Sequence, residues 1–368
     1  MNKTGFGFLR LPRLVPEDET SLDMELICGM VDRFLERGGR YFDTAYTYLG
    51  GASEVGLRKA LVERHPRDAY ILADKLPTWK VSSREECWLR FREQQERCGV
   101  EKFDVYLLHW LNEEIYGICE SYDGFGFLEE VKAKGLADRI GFSFHDSPRL
   151  LDRILTEHPG VDYVQLQINY LDWDSPALQA RELYETAVKH GKKVIVMEPV
   201  RGGHLASLPE AGEALLRGIR PEESMASWAI RFAQNLPEVE VVLSGMSATE
   251  QVDDNLRDLP PLEEREREAL KKVAEMIRSD TAVPCTGCNY CAPNCPQNIP
   301  IPKYFALYND YARTPAFGWK MGHAYNALAA QYAKASDCLT CGACERNCPQ
   351  KLDITGFLKK TAEAFEKN

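Results

Sequence analysis

Between residue 5 and about residue 278 the chain alternates short apolar runs with amphipathic stretches of helical period. The runs are Gly5–Leu11, Tyr41–Ala45, Tyr70–Lys75, Phe103–Trp110, Arg139–His145, Tyr163–Tyr170, Lys193–Pro199 and Val239–Gly245. Most lead into a helical pattern, among them Leu22–Glu36, Ser53–Glu63, Ser83–Glu96 and Ala177–His190. Gly38-Gly39, Gly99, Gly135 and Gly191 lie just past the ends of such patterns, where a left-handed residue stops a helix. Strands that alternate with helices pair in parallel, and eight such units predict an α/β fold, a closed (β/α)8 TIM barrel. An open doubly wound sheet is the competing architecture. Its G-x-G-x-x-G turn after the first strand is absent.

Beyond a charged amphipathic helix at Leu262–Ser279 the pattern changes. Cys285, Cys288, Cys291 and Cys295 precede Pro296, and Cys338, Cys341, Cys344 and Cys348 precede Pro349. Both sets read C-x2-C-x2-C-x3-C-P, the spacing with which bacterial ferredoxins hold [4Fe–4S] clusters. A structural zinc site splits its ligands into two pairs across a longer loop, which these runs do not do. By analogy with two-cluster ferredoxins, the fourth Cys of each run serves the other cluster. Cys285, Cys288, Cys291 and Cys348 would share one cluster, and Cys338, Cys341, Cys344 and Cys295 the second. The insert between the runs, 297–337, is rich in Ala and Tyr. It reads as two helices split near Pro315. The expected organisation is a barrel over 1–279 and a small, mostly helical ferredoxin-type domain over 280–368.

Composition narrows the setting. The chain has 368 residues and a formal net charge of -11, which argues against nucleic acid as a partner. No apolar run is long enough to span a membrane, and the first residues lack the apolar stretch of a signal peptide. Of twelve cysteines, eight belong to the two runs; Cys28, Cys87, Cys98 and Cys119 are scattered, as core or surface thiols are. A reducing cytoplasmic location is the expectation.

Working residues of such a barrel lie at the C-terminal ends of its strands. Asp43, Lys75 and His109 end the second, third and fourth runs, and Tyr48 follows Asp43 in the next loop. Taken singly, Asp43 could cap a helix, Tyr48 could pack a wall and His109 could be structural. Together they suit carbonyl reduction. An ammonium held by Asp43 would stabilise a phenolate at Tyr48, so that the phenol exchanges a proton with an alkoxide while His109 orients the carbonyl oxygen. Trp79, Trp110, Tyr170 and Trp173 lie in or near loops at the same end and could line an apolar substrate pocket, with His145 nearby.

In these stretches the chain resembles the aldo-keto reductases. The matching segments are Phe42-Asp43-Thr44-Ala45 with Tyr48 and Gly50, Ala73-Asp74-Lys75, Asp104 to Trp110, Ile140-Gly141-Phe142-Ser143, and Gly245 through Leu256. With its Cys-rich C-terminus it looks like the iron–sulfur branch of that family. The resemblance implies Asp43, Tyr48, Lys75 and His109 as a catalytic tetrad. It implies nicotinamide, NAD or NADP, at the strand ends, with contacts at Ser143, Gln165 and Asn255. Gly245 and Gln251 stand where many members place a Lys and an Arg on the 2′-phosphate, which weakens the expectation of NADP. Phe144 and Met197 also depart from the pattern, and Arg201 is a candidate phosphate contact.

Two readings remain open from sequence. In one, an enzyme interconverts a small carbonyl and an alcohol, and the clusters relay electrons to or from a ferredoxin or flavoprotein partner, or serve structure alone. Nicotinamide passes electron pairs and each cluster passes one, so a flavin in the partner or unrecognised in the barrel would reconcile them. In the other, the barrel is a docking scaffold in an electron-transfer subunit and performs no nicotinamide chemistry.

Overall fold

The computed structural model describes residues 3–175, 178–313 and 318–366. Eight parallel strands close into one barrel in sequence order: β1 Thr4–Gly7, β2 Tyr41–Asp43, β3 Ile71–Leu76, β4 Phe103–Leu111, β5 Ala137–Phe144, β6 Tyr163–Gln167, β7 Lys193–Met197 and β8 Val239–Gly245. Each lies within or beside one of the eight apolar runs. The helices Met24–Glu36, Arg84–Cys98 and Ala180–Lys189 follow the expected amphipathic patterns, although residue 177, the expected start of the last, lies outside the described residues. The helix expected over Ser53–Glu63 changes character on the way: α-helical Ala52–Leu57 runs into a π-helical turn at Arg58–Val62.

The two-residue period of the strands builds two layers. One set of side chains packs outward against the helices, where Phe6, Phe8, Phe34 and Phe42 form an aromatic cluster. The other set fills the barrel lumen: Tyr41, Ala73, Val105, Leu107, Tyr163, Ile195, Val241 and Leu243 form a separate buried group. Two steps along the same rows lie Asp43, Lys75, His109 and Gln165, so strand periodicity alone brings polar groups together above an apolar plug.

The plug depends on absent side chains as well. A Cβ on Gly141 would sit 2.2 Å from the backbone oxygen of Tyr163, and one on Gly5 would meet Leu243, Val241 and Tyr41 at 3.0 Å or less. Backbone cannot yield as a flexible side chain can. Gly141→Ala is therefore expected to cost about 2–4 kcal/mol of stability, in the upper range for overpacking. Chemical denaturation would check this, and an unchanged midpoint would contradict it.

The chain divides into two compact units. One holds residues up to Ser175, Gln179–Val200 and Ala226–Glu263. The second includes Arg201–Met225 and everything from Glu264 onward. This structural division groups the helix Glu264–Asp280 with the Cys-rich segment, so it is a different cut from the sequence-based boundary at 279/280. Within the second unit, helices Ile301–Arg313, Gly318–Ala329 and Ile354–Phe365 surround the two Cys runs. The insert is thus helical as expected, while the break at Pro315 lies outside the described residues. Its core joins Val283, Ile299, Ile301, Tyr304, Phe305, Tyr325 and Leu358 with Cys291, Cys344 and Cys348. Asn309 fixes the entry to the first run by accepting from the backbone N of Val283 at 2.7 Å and donating to its O at 2.8 Å. Among the described residues no helix is long and apolar enough to cross a membrane.

Candidate active site and cysteine cavities

At the C-terminal end of the barrel, β2 ends in Asp43 and β3 carries Lys75. Lys75 Nζ donates to Asp43 Oδ1 at 2.5 Å and to the backbone O of Thr44 at 2.8 Å, and lies 3.4 Å from Tyr48 Oη. Both members of the ion pair are buried. Tyr48 stands in a tight turn whose next residues, Leu49, Gly50 and Gly51, all have positive φ. Its ring meets that of His109 edge-on at 5.6 Å.

His109 owes its place to an irregularity. The β4–β5 register shifts between Leu108 and Leu111, and Trp110 adopts a φ of 64°. A bulge of this kind re-aims side chains at a barrel rim. Ser143 Oγ accepts from the Trp110 backbone N at 2.7 Å, and Thr78 donates to the backbone O of His109, so both sides of the kink are secured.

Electrostatics separate the roles. Burial raises the Asp43 carboxyl, with Lys75 opposing the rise. Burial, then the nearby Lys75 and His145, push His109 well below its ordinary value, so its imidazole is neutral. Tyr48 is driven well above the ordinary phenol value, by burial first and then by Asp43 and Asp74. This differs from the expectation that Lys75 would ease ionisation of the phenol. The reason is burial, which disfavours the phenolate, with Asp43 and Asp74 adding to the rise. The phenol therefore holds its proton at neutral pH.

Among the described residues, three buried polar atoms around this group find no hydrogen-bond partner: Asp43 Oδ2, His109 Nδ1 and Gln165 Oε1. Buried polar atoms are ordinarily satisfied, so a cluster of orphans marks where a polar ligand belongs. Gln165 is one of the residues that the resemblance names as a cofactor contact. Ser143 is buried and already engaged with Trp110 N. Asn255, also buried, donates to Ser244 Oγ at 3.0 Å and its carbonyl accepts from Thr4. Gln251 is exposed and accepts from Ser247 N at 2.7 Å. Gly245 is exposed, with the stem of Arg10 across it. Arg201 belongs to the second unit, where it is buried and donates to Gln350 Oε1 at 3.0 Å. Of the four aromatics expected at the mouth, Trp79 and Trp110 form a wall beside His109, with His145 behind Trp110. Tyr170 and Trp173 instead pack on Phe232.

In the second unit the eight cysteines sort themselves across the runs. Cys285, Cys288, Cys291 and Cys348 line one small pocket with Ile301, Phe305, Leu352 and Ile354. Cys295, Cys338, Cys341 and Cys344 line another. Burial and the neighbouring thiols Cys288, Cys285 and Cys348 push Cys291 up, and Cys344 is pushed up to about 11, by burial first. Four thiolates cannot share an apolar cavity without a cationic centre, so this donor set fits an iron–sulfur cluster. The two loops also share a backbone trace that sequence reasoning missed. The residues flanking the second Cys, Gly287 and Asn289 in one run and Thr340 and Gly342 in the other, all have positive φ. Such turns point successive amides inward and favour anionic centres. The Gly and Asn residues were the available signal.

The Aldo/keto reductase family pattern matches residues 5–275, and the 4Fe-4S dicluster domain pattern matches residues 284–352. An aldo-keto reductase of Mycobacterium avium is 29% identical over 60% of this chain and 72% of its own length. The 2,5-diketo-D-gluconic acid reductase B of a Corynebacterium is 26% identical over 54% of this chain and 68% of its own. Among solved structures, the holo form of aldo-keto reductase AKR11C1 from Bacillus halodurans is 25% identical and superposes with a TM-score of 0.59 over 74% of this chain and 91% of its own. A Klebsiella pneumoniae aldo/keto reductase in complex with NADP and acetate shares the fold, with a TM-score of 0.60 at 19% identity over 74% of this chain and 91% of that one.

Proposed function

The chain belongs to the aldo/keto reductase family and is an oxidoreductase, and from that premise we propose that its barrel, 1–279, reduces a small carbonyl compound with NAD(P)H while 280–368 carries two [4Fe–4S] clusters. The observation that supports this best is the Asp43–Lys75–Tyr48–His109 group ringed by unpartnered buried atoms. Nicotinamide, when bound, supplies a hydride to the carbonyl carbon. Tyr48 gives its phenolic proton to the carbonyl oxygen, so the two additions complete the alcohol. The phenolate left behind is stabilised by Lys75, which Asp43 holds in place. Neutral His109 donates a hydrogen bond to the same oxygen without competing for the proton. Trp79 and Trp110 shield this side of the mouth from water. Gln165 would hold the nicotinamide amide, with Ser143 fixing the strand end beside it and Asn255 fixing the end of β8.

Each cluster would pass single electrons to or from a ferredoxin or flavoprotein, and a flavin on either side would join one-electron to two-electron chemistry. Cys285, Cys288, Cys291 and Cys348 would hold one cluster, and Cys295, Cys338, Cys341 and Cys344 the other. The scaffold reading draws on Gly245 and Gln251, which bring no cation to a nucleotide phosphate, and on Arg201, which is engaged with Gln350. Absence of NADH and NADPH binding at millimolar levels would favour it.

Tyr48→Phe is the decisive variant. Carbonyl reduction should fall at least about 100-fold with either nucleotide, while iron content stays unchanged. Turnover retained in the variant would remove Tyr48 from the chemistry.

A further inference from the structure

On the outer face of β3, directly behind Lys75, lies a closed polar pocket that the reductive chemistry does not use. Asp74 from β3, Glu54 from the helix Ala52–Leu57 and Cys98 at the end of Arg84–Cys98 are all fully buried, and one donor atom from each lies within 4.8 Å of the others. Glu54 Oε2 accepts from Arg97 at 2.9 Å. Asp74 Oδ1 accepts from the backbone N of Lys75 at 2.7 Å, and Asp74 Oδ2 faces the Cys98 thiol at 3.6 Å. Gln94 donates to the backbone O of Lys75 at 3.0 Å and accepts from Tyr106 Oη at 2.6 Å. Both peptide groups of Lys75 are thus gripped from behind.

The charges in this pocket do not balance as two carboxylates. Glu54 and Asp74 would bring two negative charges and Arg97 one positive charge, while the Lys75 ammonium faces the lumen and is paired with Asp43. A fully buried net charge is costly. Glu54 Oε1 has no donor as matters stand. A proton on Asp74 Oδ2 would supply that donor and cancel the excess charge together.

We propose that Asp74 and Glu54 share one proton in this pocket, and that the resulting neutral acid, with Gln94, acts as a positioning group that holds Lys75 at the mouth. Burial and the facing Glu54 raise Asp74 well above the ordinary carboxyl value, while Lys75 opposes the shift. Burial raises Glu54 too, with Arg97 opposing. The Arg97 ion pair at 2.9 Å keeps the charge on Glu54, so the proton resides on Asp74. The other titratable neighbours, Cys98 and Tyr106, are both shifted toward their protonated forms, so neither competes as the acid's base. The sign follows. A carboxyl raised on folding favours the native state at low pH and disfavours it as pH climbs from the unfolded value toward the folded one.

The inference rests on Lys75 belonging to the reductive site, but its first test does not. Infrared spectra of the cluster-loaded protein at pH 8 should show a protonated-carboxyl C=O band that Asp74→Asn removes. Asp74→Asn keeps an acceptor for Lys75 N–H and a donor for Glu54, so it should melt a few degrees higher than the parent at pH 8, with the gap closing toward pH 4. Asp74→Ala should lower kcat for carbonyl reduction about tenfold, with KM little changed, and Asp74→Asn should restore it. No such band, or an Asp74→Asn protein as impaired as Asp74→Ala, would overturn the shared proton. So would a stoichiometric divalent ion that is lost with Asp74→Asn. If no variant and no parent reduces carbonyls, the reading of the barrel fails while the band and the melting difference still decide the pocket.

Discussion

Lys75→Met should remove carbonyl turnover, by at least about 100-fold, and cost roughly 3–5 kcal/mol of barrel stability. The side chains are close in volume, so the loss is electrostatic. Asp43 would be left buried with one oxygen already unpartnered and the other newly so. The deficit depends on pH. Asp43 is raised by burial even with Lys75 present, and without the ammonium it rises further. A carboxyl raised on folding is tolerated when protonated, so the variant should be nearest to the parent at about pH 5 and furthest from it at about pH 8. Adding Asp43→Asn should recover most of the stability and none of the turnover. Denaturation midpoints at the two pH values, with kinetics beside them, test both halves. A deficit that grew toward acid pH would mean that Asp43 is not the group left stranded.

The second large effect is expected from stripping iron under reducing conditions. Cys291, Cys344 and Cys348 are part of the core of the second unit, and they line the two cysteine pockets. Without a cluster the thiols lose their counter-charge, and the binding free energy that supports the fold is lost with it. Hydrogen exchange in the helices Ile301–Arg313 and Ile354–Phe365 should rise sharply, and proteases should cut between about 281 and 352. The barrel strands should keep their protection. Equal protection with and without iron would show that the helices stand on their own aromatic contacts, chiefly Tyr304 with Tyr325 and Tyr325 with Phe365.

The sequence made the barrel legible because β1–β8 are apolar runs of one kind at regular spacing, and one face of each run had to end at the mouth. Asp43, Lys75 and His109 could be read there by counting along strands. Three cysteines of each run could be grouped because a loop of that length aims three thiolates at one point; that the fourth crosses to the other pocket came from the likeness to two-cluster ferredoxins. Other features depend on three dimensions. The left-handed Trp110 has no sequence signal, since a tryptophan adopts that geometry only when its surroundings demand it. The high value of Tyr48 follows first from its burial, with Asp43 and Asp74 adding to it, which no spacing reveals. Arg201, beside a Gly-Gly pair, read as a candidate phosphate contact. It is instead buried against Gln350, a residue 149 positions further along the chain.

The segment Arg201–Met225 belongs with residues from Glu264 onward: Arg220 bonds Glu266, and Gly212 lies against Val273. On the ribosome this segment emerges well before those partners exist, and β8 and its flanking helices must still be made in between. The barrel strands can therefore zip together while a stretch of some twenty-five residues in their midst waits for the end of the message. The iron–sulfur half is consequently no cassette that could be clipped off by a stop codon near residue 263, just ahead of the helix Glu264–Asp280 that carries Glu266 and Val273. A shortened gene product would display 201–225 with nothing to fold against, as a standing target for quality-control proteases.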